Sequence, residues 1–181
     1  MNINELINQL IGKEGKYSND PTDRGGETCW GITAAVARAY GYTGPMQDMP
    51  RETAASIYRA RYWVTPGFDK INAVAPSIAE ELLDTGVNMG PATAGKFLQR
   101  ALNTLNNGAT LFPDITVDGA IGPMTVGALA QFCKGRGAQG VVTLLNMLNA
   151  QQSVRYMELA EADKSQERFE FGWQANRVGM A

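Results

Sequence analysis

Apolar residues return at helical spacing along most of this chain, and that period limits the fold more than any other feature of the sequence. Ile3, Leu6, Ile7, Leu10 and Ile11 stand at i, i+3, i+4, i+7 and i+8, behind an Asn2–Glu5 pair spaced as a capping box. Carried on through Ile3, Ile7 and Leu10, the stripe brings Glu14 to the apolar side of the helix end, where Gly15 supplies a stop. The spacing predicts further helices over 34–40, closed by Gly41, and over 50–62, with Asp48 or Met49 near the cap. Another is expected from a Ser77–Glu80 capping box through Leu82 and Leu83 to Asp84. Pro91 opens a helix with Phe97, Leu98, Ala101, Leu102 and Leu105 on one side, and Asn106–Gly108 closes it. Pro123 opens the next, toward Phe132; a glycine-rich break at 134–140 precedes a long helical stretch over 141–162 and a last helix from Ser165.

Strand signals are few. Cys29 to Ile32 reads as part of a hairpin and 115–119 as another short extended piece, so the expected fold is mainly α with at most a small β-hairpin. There is no internal repeat. A seam near Gly86–Pro91 divides the chain into regions 1–88 and 89–181, expected to pack closely because no long linker separates them.

Composition narrows the chemistry. The chain has 181 residues, 44% of them apolar and 19% charged, enough for a real core. No apolar run approaches the ~18 residues of a membrane span, so no membrane insertion is expected. With a formal charge of −2 and scattered basic residues, nucleic acid is a poor partner. A monomer is expected. The chain contains no histidine, which removes Ser-His and Cys-His dyads, histidine zinc sites and any imidazole base. Proton transfer falls to carboxylates, and neither metal nor cofactor is expected. Cys29 and Cys133 are too few for a disulfide framework and are expected as plain thiols.

Residues 13–33, KEGKYSNDPTDRGGETCWGIT, gather four carboxylates: Glu14, Asp20, Asp23 and Glu27. A glutamate on an apolar helix face beside a polar acidic loop can split two acids by environment. Desolvation favours the protonated form of one while the other stays ionised. Glycosidic cleavage needs that division, an acid for the leaving oxygen and a negative charge for the oxocarbenium-like centre. Plainer roles remain open: Glu14 could pair with Lys13 or Lys16, Asp20 and Asp23 are good turn formers beside Pro21 and Gly25, and Glu27 reads as a surface group.

Glu14-Gly15, Tyr17, Asn19, Pro21, Asp23, Gly25-Gly26, Thr28 and Gly31-Ile32-Thr33 resemble the E-G-G-Y-x-N-x-P-x-D-x-G-G-x-T-x-x-G-I-T signature of glycoside hydrolase family 108. Lys16 stands where that family usually has its second glycine. The resemblance implies a lysozyme-like helical fold and an N-acetylmuramidase cutting the β-1,4 bond between N-acetylmuramic acid and N-acetylglucosamine, as in phage endolysins and secretion-associated wall hydrolases. It implies Glu14 as the catalytic acid. The order Glu14, Asp23, Thr28 is also similar to the glutamate-aspartate-threonine order of phage-type lysozymes, which space the last pair one residue wider; Asp23 and Thr28 are catalytic candidates by that analogy.

The stretches 84–103, 117–129 and 171–179 look like the predicted peptidoglycan-binding domain that accompanies this catalytic region. The implied partner is therefore the glycan strand of peptidoglycan, with its peptide stems as a further contact. Substrate-binding candidates are Tyr17, Asn19, Trp30, Asn88, Trp173, Asn176 and Arg177. Against them stand structural roles: aromatic residues at helical spacing, Tyr58, Tyr62 and Trp63 among them, are usually core, and Asn88 or Asn176 can serve as turn or cap. The N-terminus carries no basic leader or apolar signal core, so cytoplasmic synthesis is expected, with access to the periplasm or wall through a holin or a secretion route. Two alternatives stay open, a lytic transglycosylase and a peptidoglycan-binding module without turnover.

Overall fold

The structure, a computed structural model, describes residues 3–13, 16–19 and 26–178. By packing, the chain divides into two compact units, Met1–Val64 and Thr65–Ala181. In the first, helix α1 (Ile3–Lys13) buries Ile7 and Ile11, as the period requires. Asn2 and Gly15, expected as cap and stop, lie outside the described residues. Helix α3 (Arg51–Arg59) holds α1 from its polar side: Arg51 Nη1 donates to Asn8 Oδ1 at 2.5 Å and Nη2 to Asn8 O at 3.1 Å, while Arg59 donates to Asn4. The helix expected over 50–62 starts at Arg51 with Pro50 as its N-cap and passes into a π-helical turn, Ala60–Val64, that buries Trp63. Tyr58 is buried as well, with Tyr62 tilted against it at 5.6 Å between ring centres.

Between these helices in sequence come three two-residue strands, β1 (Tyr17–Ser18), β2 (Thr28–Cys29) and β3 (Ile32–Thr33), forming one antiparallel sheet in the order β1-β2-β3. The hairpin expected around Cys29–Ile32 is present, and β1 joins it in the register Tyr17↔Cys29 and Ser18↔Thr28. Thr33 then caps helix α2 (Ala34–Ala39), its Oγ1 accepting from Val36 N at 3.3 Å.

The second unit is helical. It comprises α4 (Phe68–Asn72), α5 (Pro76–Met89), α6 (Pro91–Leu105), α7 (Pro123–Ala162) and α8 (Glu167–Arg177), around a core that includes Phe68, Ile78, Leu82, Leu98, Leu102 and Phe132. Two expectations are corrected. Helix α5 begins at Pro76 with Ala75 as N-cap, so Ser77 and Glu80 lie inside its first turns and form no capping box. Proline wins the first helical position because its φ is already helical and it has no N–H to leave unpaired. Residues 115–119 form no strand, because side-chain amides of α6 take the place of a strand partner. Asn103 Nδ2 donates to Ile115 O at 2.7 Å and Ile115 N to Asn103 Oδ1 at 2.9 Å. The buried Gln99 donates to Asp118 Oδ1 at 2.8 Å and accepts from Gly119 N at 2.7 Å.

The glycine-rich break at 134–140 is a kink rather than a loop: Gly137, at φ 59° and ψ −155°, interrupts α7, a conformation that costs glycine little and other residues much. The Gly86–Pro91 stretch is the corner between α5 and α6, which pack on each other within the second unit. Among the described residues no helix is long and apolar enough to cross a membrane.

Candidate active site

The described part of the acidic stretch folds into the small sheet, and the sheet is tied down unusually well for its size. Trp30 and Gly31 join β2 to β3 with φ 54° and 73°, the paired positive values that a two-residue type I′ turn requires. Gly31 suits that geometry. For a bulky tryptophan it is an outlier that persists only where the surroundings enforce it, and three hydrogen bonds do so here. Trp30 N donates to Lys16 O at 2.9 Å, its indole Nε1 to Met49 O at 2.9 Å, and Tyr58 donates its phenol to Trp30 O at 3.3 Å. Lys16, at the position that departs from the family pattern, is exposed and contributes its carbonyl to this clamp.

The structure thus brings Tyr17, Asn19, Thr28 and Trp30 to one sheet and its edge. Tyr17 is 40% exposed and donates its phenol to Glu27 Oε1 at 2.9 Å; that bond to a carboxylate raises the phenol above its ordinary value. Thr28 is half-buried on β2, and among the described residues its hydroxyl keeps no partner. Asn19 is exposed just after β1. Glu14 and Asp23, the two expected carboxylates, lie outside the described residues. In sequence Glu14 falls between the end of α1 and the start of β1, and Asp23 between β1 and β2.

The remaining candidates belong to the second unit. Asn88 lies inside α5, its amide donating to Asp84 O at 2.8 Å and Asp84 Oδ2 at 3.3 Å. Trp173 on α8 stacks on Tyr156 at 4.9 Å and Phe169 at 5.9 Å, so its ring anchors α8 to α7. Asn176 donates back to Gly172 O at 2.9 Å; Arg177 ends α8, and its side chain lies outside what is described.

Two acids escape a sequence-based search. Glu27 is half-buried rather than a plain surface group, and holds Tyr17. It stands two residues before Cys29, the register partner of Tyr17, a diagonal cross-strand position visible only once the register is known. Glu81 on α5 accepts the Thr85 hydroxyl at 3.0 Å, and burial pushes its carboxyl from 4.5 up to about 7, with the Thr85 bond opposing and the Asp84 charge adding. Between those values the folded chain keeps a proton that the unfolded chain has lost. Stability therefore falls as pH rises through that window, by about 3 kcal/mol at most. Glu81→Gln, which needs no proton, should match the native melting temperature near pH 4.5 and exceed it increasingly up to pH ~7.5; a gap independent of pH in calorimetry would contradict the assignment.

Two stretches of the chain match family models. Residues 7–90 match the family model Glycosyl hydrolase 108, and residues 93–178 match the model Predicted Peptidoglycan domain. The boundary between compact units, after Val64, lies inside the first match, so α4 and α5 pack with α6 and α7 although the family model groups them with the N-terminal region. The fold is similar to that of Brucella abortus SagA, with a TM-score of 0.63 and 23% identity over 96% of this chain and 87% of that one. No curated protein matches the chain.

Proposed function

We propose that the chain, whose residues 7–90 match the Glycosyl hydrolase 108 model and whose residues 93–178 match the Predicted Peptidoglycan domain model, is an N-acetylmuramidase. The two regions together support a peptidoglycan hydrolase. The finer assignment, cleavage of the β-1,4 bond between N-acetylmuramic acid and N-acetylglucosamine, is supported by one observation above the rest. The motif from Glu14 to Thr33 lies within the matched hydrolase region, and its described part folds as a clamped sheet presenting Tyr17, Thr28 and Trp30.

In this mechanism the Glu14 carboxyl donates its proton to the glycosidic oxygen as the bond to the anomeric carbon breaks. Asp23 stays ionised and stabilises the positive charge that develops on the sugar. The hydroxyl of Thr28, without a partner among the described residues, helps to hold the attacking water. Tyr17 and Trp30 offer a phenol and an indole face to the sugar rings, where flat apolar surface and a polar edge both find partners. The substrate sits in the wall, and the protein acts there.

Incubating purified peptidoglycan with the native protein and identifying the new sugar ends by mass spectrometry tests this. Reducing N-acetylmuramic acid ends are expected. Ends in 1,6-anhydro form would assign a lytic transglycosylase instead, and wall binding without sugar release would leave a binding module.

A further inference from the structure

A groove of about 230 Å³ runs between α6 and α7 in the second unit, lined by Phe97 and Arg100 from α6 and by Gln151, Val154, Arg155 and Glu158 from α7. Gln151, Val154, Arg155 and Glu158 stand at i, i+3, i+4 and i+7, and with Ala150 beside them they form one face of the helix. We infer that this groove seats the peptide stem of peptidoglycan, with Arg100 and Arg155 binding its carboxylates. The inference rests on the peptidoglycan reading of residues 93–178 and names the part of the polymer that this region takes.

The floor is built before any ligand arrives. Gln151 Nε2 donates to Phe97 O at 3.1 Å and to Met147 O at 3.3 Å, tying α6 to α7, while its Oε1 is buried with no donor among the described residues. An acceptor left in that state carries a desolvation cost, which the paired amide bonds across the floor offset. Phe97 is half-buried and Val154 is 48% exposed, so the floor offers apolar surface to small methyl side chains.

The rim supplies charge in a chain whose net charge is −2. Arg100 is exposed and has no partner among the described residues. Arg155 Nη1 meets Glu158 Oε2 at 2.8 Å, with the two side chains 44% and 53% exposed, a solvated pair that a ligand can rearrange easily. Guanidinium groups take carboxylates in bidentate fashion, and Glu158 is left for an ammonium. Alanine methyls, free carboxylates, an amide backbone and the amine of a diamino acid are what a wall peptide stem offers. The groove lies below the ~300 Å³ at which ligand pockets usually begin, which suits a short peptide of small residues better than a disaccharide.

Titration calorimetry on the full chain separates the alternatives, with three probes: N-acetylmuramyl tetrapeptide, the same compound with its carboxylates amidated, and the peptide-free disaccharide. The native protein should bind the first about tenfold more tightly than the second. The double substitution Arg100→Gln, Arg155→Gln should lose about the same factor for the first probe alone, as expected when charge-assisted contacts go. Unchanged circular dichroism melting, with each single variant as a second control, separates lost contacts from lost fold. A double variant that binds the tetrapeptide like the native chain overturns the inference. So does native binding indifferent to amidation, provided whole sacculi are still bound or cut, in which case the peptidoglycan reading survives. A native chain that neither binds nor cuts sacculi overturns both.

Discussion

Glu14→Gln should lower the rate of sugar release from peptidoglycan by about a thousandfold or more, while leaving wall binding and melting temperature close to native. Glutamine keeps the shape of the glutamic acid side chain and removes the proton that the proposed mechanism gives to the leaving oxygen. Positioned acid catalysis contributes roughly 10²–10⁴ in rate, so a thousandfold loss corresponds to about 4 kcal/mol of barrier. Asp23→Asn should also be severe if its charge stabilises the sugar cation. A transglycosylase that manages with one glutamate would tolerate that change far better, and single-turnover release of reducing ends distinguishes the two. A Glu14→Gln protein that cuts at even a third of the native rate would remove Glu14 from the mechanism and return the acid to one of the neighbouring carboxylates.

Gly95→Ala should cost about 3 kcal/mol, at the upper end of what overpacking exacts. Gly95 is buried on α6, where an added Cβ would overlap the Gly119 carbonyl; an added Cβ on Gly119, itself at φ 85°, would lie 2.5 Å from Ala92 O. Both obstructing groups are backbone, so no side chain can swing aside. This is also where Gln99 and Asn103 hold the 115–120 segment through paired hydrogen bonds, and pushing the segment away strains those as well. In a chain of this size the loss corresponds to a melting temperature lower by roughly 6–12 °C. The same substitution at Gly127 on α7, where an added Cβ meets nothing within 4 Å, should instead stabilise by about 0.5–1 kcal/mol through helix propensity. Calorimetry on the pair gives opposite signs if packing decides, and Gly95→Ala melting within about 1 °C of native would refute the close approach.

The helices were legible because the signals that make them are local. Apolar residues at 3.6 spacing and Pro91 and Pro123 as openers act within a turn or two, and α6 and α7 begin where those prolines stand. The same locality misled at α5, where Ser77 and Glu80 satisfied a capping pattern but Pro76 already held the first helical position. The hairpin turn at Trp30–Gly31 was legible in place but not in its strain, since only Met49, Tyr58 and Lys16, brought from elsewhere in the chain, show what holds a tryptophan at positive φ. The third strand, the Tyr17–Glu27 bond, the near-neutral Glu81 and the Arg100–Arg155 groove share one property. Each is a relation between residues whose meeting depends on register or burial, and neither is written in the spacing of a single segment. By itself, then, the sequence determined a mainly helical chain, the absence of histidine and the place of the acidic motif at residues 13–33. Tertiary structure alone decided which acids are buried, which amides replace a strand and where two arginines from different helices face one groove, because burial and long-range pairing exist only once distant segments have packed.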